Sequence, residues 1–175
     1  MILRYASAQD IDSIMAIEKS SFIPAIQEKQ TVFESRIAAF PHGFIIFEDR
    51  QTHSAAGYLC SERWESIPAS DVCFTLGHSA KKTHTNGGKI LYLSSFALLP
   101  LFRGKGSGKA LFGEALDFIL ACEQENPIQT ILLLVNEEWK GAFHIYETAG
   151  FTTLRTIDGI FPGHKGILMK KDIYK

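Results

Sequence analysis

The stretch LFRGKGSGKAL, Leu101 to Leu111, sets Gly104, Gly106 and Gly108 at alternate positions among Arg103, Lys105 and Lys109. Glycines so spaced let successive backbone N–H groups approach an anion, and a helix starting there adds unpaired donors and the positive end of its dipole. The chemistry indicated is capture of a phosphate or pyrophosphate. A P-loop does not fit: it needs Gly five positions before the Gly-Lys pair and Ser or Thr after the Lys, where this chain has Arg103 and Ala110. Nor does the dinucleotide fingerprint GxGxxG, whose last glycine falls on Lys109 when counted from Gly104 and on Leu111 when counted from Gly106. What remains is Arg-x-x-Gly-x-Gly, matched by Arg103, Gly106 and Gly108. Two further sets carry chemistry. NEEWKGAFHIYETAGF places Asn136 and the phenol of Tyr146 on either side of a helix start, and KILYLSSFALL puts the hydroxyls of Tyr92 and Ser94 on one face of a strand.

The elements that must position these groups follow from period and punctuation. ILRYA reads as a first strand, and Ser7 caps a helix carrying Ile11, Ile14, Met15, Ile17 and Phe22; Glu28 to Phe40 is a second helix, stopped by PHG. GFIIFE and AAGYLCS form a hairpin across DRQTHS. Glu62 to Gly88 has no sustained period and reads as a long insertion between strands, a substrate-side lid or a solvated loop; its His78 and His84 are base or ligand candidates without an evident partner. KILYLSSFALL is then an apolar strand leading through the glycine loop into a helix with Leu111, Ala115, Phe118, Ile119 and Cys122 on one stripe. TILLLV is a buried strand, Asn136 caps a helix with Glu137 and Glu138 in its first turn, Gly150 ends that helix, and GFTTLRTI and HKGILMKK close the chain as strands. The order predicts an α+β or mixed α/β fold around one sheet, a single domain over residues 1–175.

Composition bounds the partner. With 46% hydrophobic residues in 175, one core suffices without staples. Eighteen Lys and Arg stand against 19 Asp and Glu, net charge −1, so no basic field recruits nucleic acid or an anionic membrane, and a small molecule is expected. Cys60, Cys73 and Cys122 are odd in number and scattered, which argues against a disulfide framework or a metal cluster and suits a reducing cytoplasm. No run approaches the roughly 20 apolar residues of a membrane span, and MILRYASAQD lacks an export pattern.

The glycine loop between an apolar strand and an amphipathic helix resembles the acetyl-CoA loop of the GNAT superfamily of N-acetyltransferases. NEEWKGAFHIYETAGF is similar to the same superfamily's later segment, with Asn136, Ala142, Tyr146, Gly150 and Phe151 in the matching places. The resemblance implies a mixed, mostly antiparallel sheet with splayed central strands, and direct transfer of acetyl from acetyl-CoA to an amine without a covalent enzyme intermediate. It implies that backbone groups of Phe96, Ala97 and Leu98 pair with pantetheine. It further implies that Arg103, Gly104, Lys105, Gly106, Ser107, Gly108, Lys109 and Asn136 hold the cosubstrate, and that Tyr146 is the acid at the leaving thiolate. KTHTNGGKILYLSSFALL, RIAAFPHGFIIFE and the His-Lys-Gly before Ile167 are similar to arylalkylamine N-acetyltransferases. In that group two strand histidines pass the amine's proton to water; this chain has Tyr92 and Ser94 there, so either these hydroxyls order a water chain or a base comes from elsewhere, Glu18 or a loop histidine. Phe22, Phe33 and Trp64 are candidate walls for a small aryl- or alkylamine. A protein or peptide acceptor and a non-catalytic CoA-binding module are the alternatives.

Overall fold

Period-2 runs of β-branched and aromatic residues become strands, and they assemble edge to edge into one sheet. A computed structural model of the chain, describing residues 1–104 and 106–173, contains β1 (Ile2–Tyr5), α1 (Ile11–Ser21), α2 (Gln30–Ala39), β2 (Phe44–Glu48), β3 (Ala55–Trp64), α3 (Ala80–Thr83), β4 (Ile90–Leu98), α4 (Ser107–Cys122), β5 (Thr130–Asn136), α5 (Lys140–Thr148), β6 (Thr152–Phe161) and β7 (His164–Asp172). The seven-stranded sheet runs β1-β2-β3-β4-β5-β7-β6. Every pairing is antiparallel except β4 with β5.

Helix entry is set by local chemistry. Ser7 Oγ accepts from Gln9 N–H while Asp10 accepts from Ser7 N–H at 2.8 Å, a reciprocal cap that also anchors Arg4 (2.7 Å). On one face of the sheet α4 buries Leu111, Phe112, Ala115, Leu116 and Ile119 against Ile45, Phe47, Leu59, Leu91 and Leu93. Cys122, expected on that stripe, is exposed instead and meets the hydroxyl of Tyr5 at 2.7 Å, because the buried stripe drifts toward Phe112 and Leu116. On the other face Ile14 and Ile17 of α1 and Phe33 of α2 pack on Phe44, Ile46, Tyr58 and Cys60.

Two irregularities matter for function. β4 and β5 pair only from Ile90–Thr130 to Leu93–Leu133; beyond that β4 stays with β3 and β5 with β7, so the parallel pair splays. The β3–β4 register also slips between Cys60 and Ser61, whose partners are Ser95 and Leu93, leaving Ser94 as an extra residue. The segment assigned to the insertion is shorter than the sequence suggests, since Glu62, Arg63 and Trp64 continue β3 and pair with Tyr92, Leu91 and Ile90.

Candidate active site

The glycine loop becomes a cradle at the mouth of the splay. Gly104 and Gly106 have φ of +83° and +81°, a left-handed conformation that side chains disfavour, and a Cβ at either would meet nothing within 4 Å. Glycine is needed there for the backbone path, and the space in front stays open for a ligand. Ser107 N–H donates to Gly104 C=O (3.0 Å) and opens α4, and Ala110 N–H donates to Gly106 C=O (3.1 Å), so Gly106 caps a helix start, the end of a helix whose first amides lack acceptors within the helix. Gly108 has a different reason: a Cβ would sit 3.1 Å from Ile145 Cδ1 of α5. Arg103 departs from the expected phosphate contact. Its Nε donates to Leu98 C=O (2.7 Å) and its Nη2 to Ser21 Oγ (2.9 Å), so it ties the loop to β4 and α1. Lys105 lies outside the described residues.

Behind the cradle, the splay leaves the β5-facing edge of β4 without a strand partner. Leu99 N–H donates to Ala56 C=O (2.8 Å), so by the period of two Ala97 turns its polar groups to β3, while Phe96 and Leu98 turn theirs toward the gap. Of the three residues expected to present backbone to a ligand, Ala97 therefore faces away, and the Leu98 carbonyl is already taken by Arg103 and Ser21. Asn136 also departs from expectation: its Oδ1 accepts from Glu138 N–H (2.9 Å) in a turn that precedes α5, rather than capping the helix itself.

A cavity of about 720 Å³ runs from Gly104, Gly106, Gly108 and Lys109 through the splay to the opposite face of the sheet. Tyr146 lines it; packed on Phe112 and Phe151, its phenol is pushed up by burial alone and stays protonated at any physiological pH. A smaller recess of about 240 Å³ shares Ser21, Phe22, Ile26 and Trp139 with it and reaches Pro162 and His164 of the β6–β7 turn.

At the far end polar groups from separate elements converge. Tyr92 is stacked on Trp64 at 4.3 Å and edge-on to Phe74, and burial raises its phenol too. Ser94 Oγ donates to Cys60 C=O (3.1 Å) and lies 3.2 Å from Cys60 Sγ, while Ser95 Oγ is 3.1 Å from Tyr58 OH. Because Tyr58 and Cys60 share a strand face, the slip at Ser94 turns both serines to the same side. Arg36 of α2 pairs with Glu28 (2.9 Å), whose other oxygen takes Gly77 N–H (2.9 Å). His78 Nε2 meets Glu62 of β3, which also accepts from Thr83; burial pushes that carboxyl up, but these hydrogen bonds outweigh it and leave it below its usual range. Glu18 of α1 accepts from Tyr58 OH and from Glu28 N–H (2.8 Å), and burial raises its carboxyl above the usual range against both bonds.

The structure thus gathers Tyr146, Tyr92, Ser94, Phe96, Leu98 and the loop glycines around one cavity, with Glu18 and His78 among its walls. Phe22 lines it, whereas Phe33 and Trp64 are core. His84 is held by Arg63 N–H (3.1 Å) and stacks on Phe40, so it is structural. Glu28, Arg36 and Glu62 escaped the sequence reading; the available signal was that each is a charged residue inside an otherwise apolar or insertion-flanking stretch.

No family model matches the sequence, and a comparison with curated proteins returns no match. Solved structures do match over the whole chain. The GphF GNAT-like decarboxylase in complex with isobutyryl-CoA superposes with a TM-score of 0.80 at 16% identity, covering 99% of this chain and 100% of that one. The loading GNATL domain of CurA from Lyngbya majuscula gives 0.80 at 17% identity, over 98% and 97%. The ribosomal-protein-S18-alanine N-acetyltransferase from Escherichia coli gives 0.70 at 16% identity, over 99% and 94%. At such identities the likeness is one of architecture, and the architecture of this chain is the GNAT fold.

Proposed function

We propose that the protein is an acetyl-CoA-dependent N-acetyltransferase acting on a small primary amine. One observation carries the reading: a single cavity joins an open glycine cradle at a helix start, through the β4–β5 splay, to an acidic and aromatic chamber on the other face. The cradle suits a diphosphate, whose charge Lys109 and the α4 amides would meet. The gap-facing backbone of Phe96 suits an extended amide-bearing arm, and Tyr146, which lines the same cavity, suits a role beside the thioester. With its phenol raised by burial, Tyr146 hydrogen-bonds the departing thiolate more readily than it surrenders a proton to it. The fold is shared with a GNAT-like decarboxylase solved with isobutyryl-CoA and with the NatC complex solved with CoA, which supports a CoA thioester as the cosubstrate.

The insertion supports a small acceptor over a peptide. Phe74, Thr75, Leu76 and His78 wall the far end, and Phe22, Trp139 and Phe161 add aromatic surface, a half-open, largely apolar recess whose lining suits a small molecule. A second reading, loss of CO₂ from a carboxylated acyl-CoA, is favoured by the 0.80 TM-score to a GNAT-like decarboxylase and by the guanidinium of Arg36 in the cavity wall. Against it, Arg36 is already paired with Glu28. Thiol release from acetyl-CoA with a panel of small aryl- and alkylamines and N-terminal peptides, run beside CO₂ release from malonyl-CoA alone, separates the readings. Amine-dependent thiol release, greatest with small amines, is expected. Faster turnover of every peptide promotes a protein acceptor, CO₂ release without amine promotes the decarboxylase, and CoA binding with neither reaction leaves a binding module.

A further inference from the structure

Charge pairing around the chamber singles out one residue. Among the charged groups lining the cavity, Arg36 is balanced by Glu28, and His78 rests on Glu62 behind it. Glu18 is 1% exposed and receives only the neutral donors Tyr58 OH and Glu28 N–H; among the described residues it has no cation within ion-pair distance. A buried carboxylate without a counter-ion is costly, and two fixed donors orient it without cancelling its charge. It also lies beside the donor strand, since Tyr58 OH bridges it to Ser95, the neighbour of Phe96. Resting on the acetyl-transfer reading, we propose that Glu18 anchors the acceptor's ammonium and takes its first proton.

A primary alkylamine, with a pKa of about 10.4, arrives almost wholly as the ammonium at pH 7. Ion pairing at Glu18 selects that form, and transfer of one proton to the carboxylate frees the nitrogen lone pair. The nitrogen then bonds to the acetyl carbon, and the C–S bond breaks with its electron pair on sulfur. A second proton leaves the nitrogen and reaches the thiolate, with the Tyr146 hydroxyl hydrogen-bonding the sulfur. The amide, the thiol and the proton on Glu18, released later to solvent, account for the three N–H protons of the ammonium.

The test is calorimetric titration of the CoA-loaded chain with benzylammonium and with its neutral isostere benzyl alcohol at pH 7.5. The wild type should bind the cation at least about tenfold tighter, the scale of one charged hydrogen bond, and Glu18→Gln should bring the two within roughly threefold. Glu18 is faced by Glu28, by Arg36 of α2 and by Tyr58 and Cys60 of β3, and His78 lies beyond it against Arg36, so a second arm uses the wild type alone. Benzylammonium affinity should fall as the pH is lowered and Glu18 takes its proton, while benzyl alcohol affinity stays flat. A preference surviving in Glu18→Gln, a flat pH dependence for the cation, or no benzylammonium binding overturns the assignment. Neither arm needs turnover: a Glu18-dependent cation preference without thiol release from acetyl-CoA refutes the acetyl-transfer reading and leaves the cation site standing.

Discussion

At the scale of single residues, chemistry here follows from which polar atoms are left unspoken for. Tyr146 has hydrophobic neighbours on its ring and, among the described residues, no hydrogen bond to its hydroxyl, which leaves that donor open for the role proposed for it. Tyr146→Phe keeps the packing and removes that donor. We expect kcat to fall by roughly 10–100-fold, the worth of a hydrogen bond to a charged sulfur, with CoA affinity by calorimetry and Tm unchanged. A kcat unaltered on a substrate for which chemistry is rate-limiting assigns the role to another group. Tyr92 and Ser94 line the same cavity in different ways: the ring of Tyr92 is held between Trp64 and Phe74, while the Ser94 hydroxyl donates to Cys60 C=O.

At the scale of elements, the strand–loop–helix from Ile90 to Cys122 carries the proposed cosubstrate site, and its geometry hangs on backbone conformation. Gly106→Val forces a β-branched residue into φ of +81° and fills the open face of the cradle. The strain alone costs about 1–3 kcal/mol, and the lost approach to the diphosphate should reduce CoA affinity by more than 100-fold while circular dichroism shows a folded chain. Gly108→Ala meets only the flexible end of Ile145 at 3.1 Å and should be far milder, so titrating both variants with CoA separates blocking of the cradle from general loosening of α4. The insertion between β3 and β4 is equally an element, although no period announces it. Phe74 enters the Trp64–Tyr92 cluster, Ala80 is buried, and Asp71 pairs with Arg155 of β6, so it is pinned across the sheet as a fixed wall.

For the whole molecule, stability and function draw on the same buried carboxylates with opposite signs. Asp10 is held below its usual range by Arg4, and Glu62 by His78 and Thr83 against burial. Their stabilisation is full above the unfolded carboxylate pKa of about 4 and is lost as pH falls through their lowered folded values. Glu18, raised by burial, works the other way and favours the folded state as it takes a proton. Urea midpoints should therefore drop below about pH 4, and Asp10→Asn should cost roughly 1 kcal/mol at pH 7 and progressively less as the pH falls below about 4; a cost that does not change with pH would remove the Arg4 pair from the balance. What could be read from the chain in isolation was whatever a window of a few residues decides. The periods that make β1 to β7 and the long helices, the PHG stop after α2 and the left-handed glycines of the loop are local preferences, and each element appears within a few residues of its expected place. The splay is a matter of which strand each half of β4 and β5 finds as a neighbour, and the slip at Ser94 appears only in the β3–β4 register. The pairing of Arg36 with Glu28, of His78 with Glu62, and the isolation of Glu18 are set by distances through space between α1, α2, β3 and the insertion. Hydrogen bonds need contact distance and the Coulomb energy of a pair grows steeply as the charges close, so only the packed sheet with both helical layers in place determines which charge gains a direct partner and which does not.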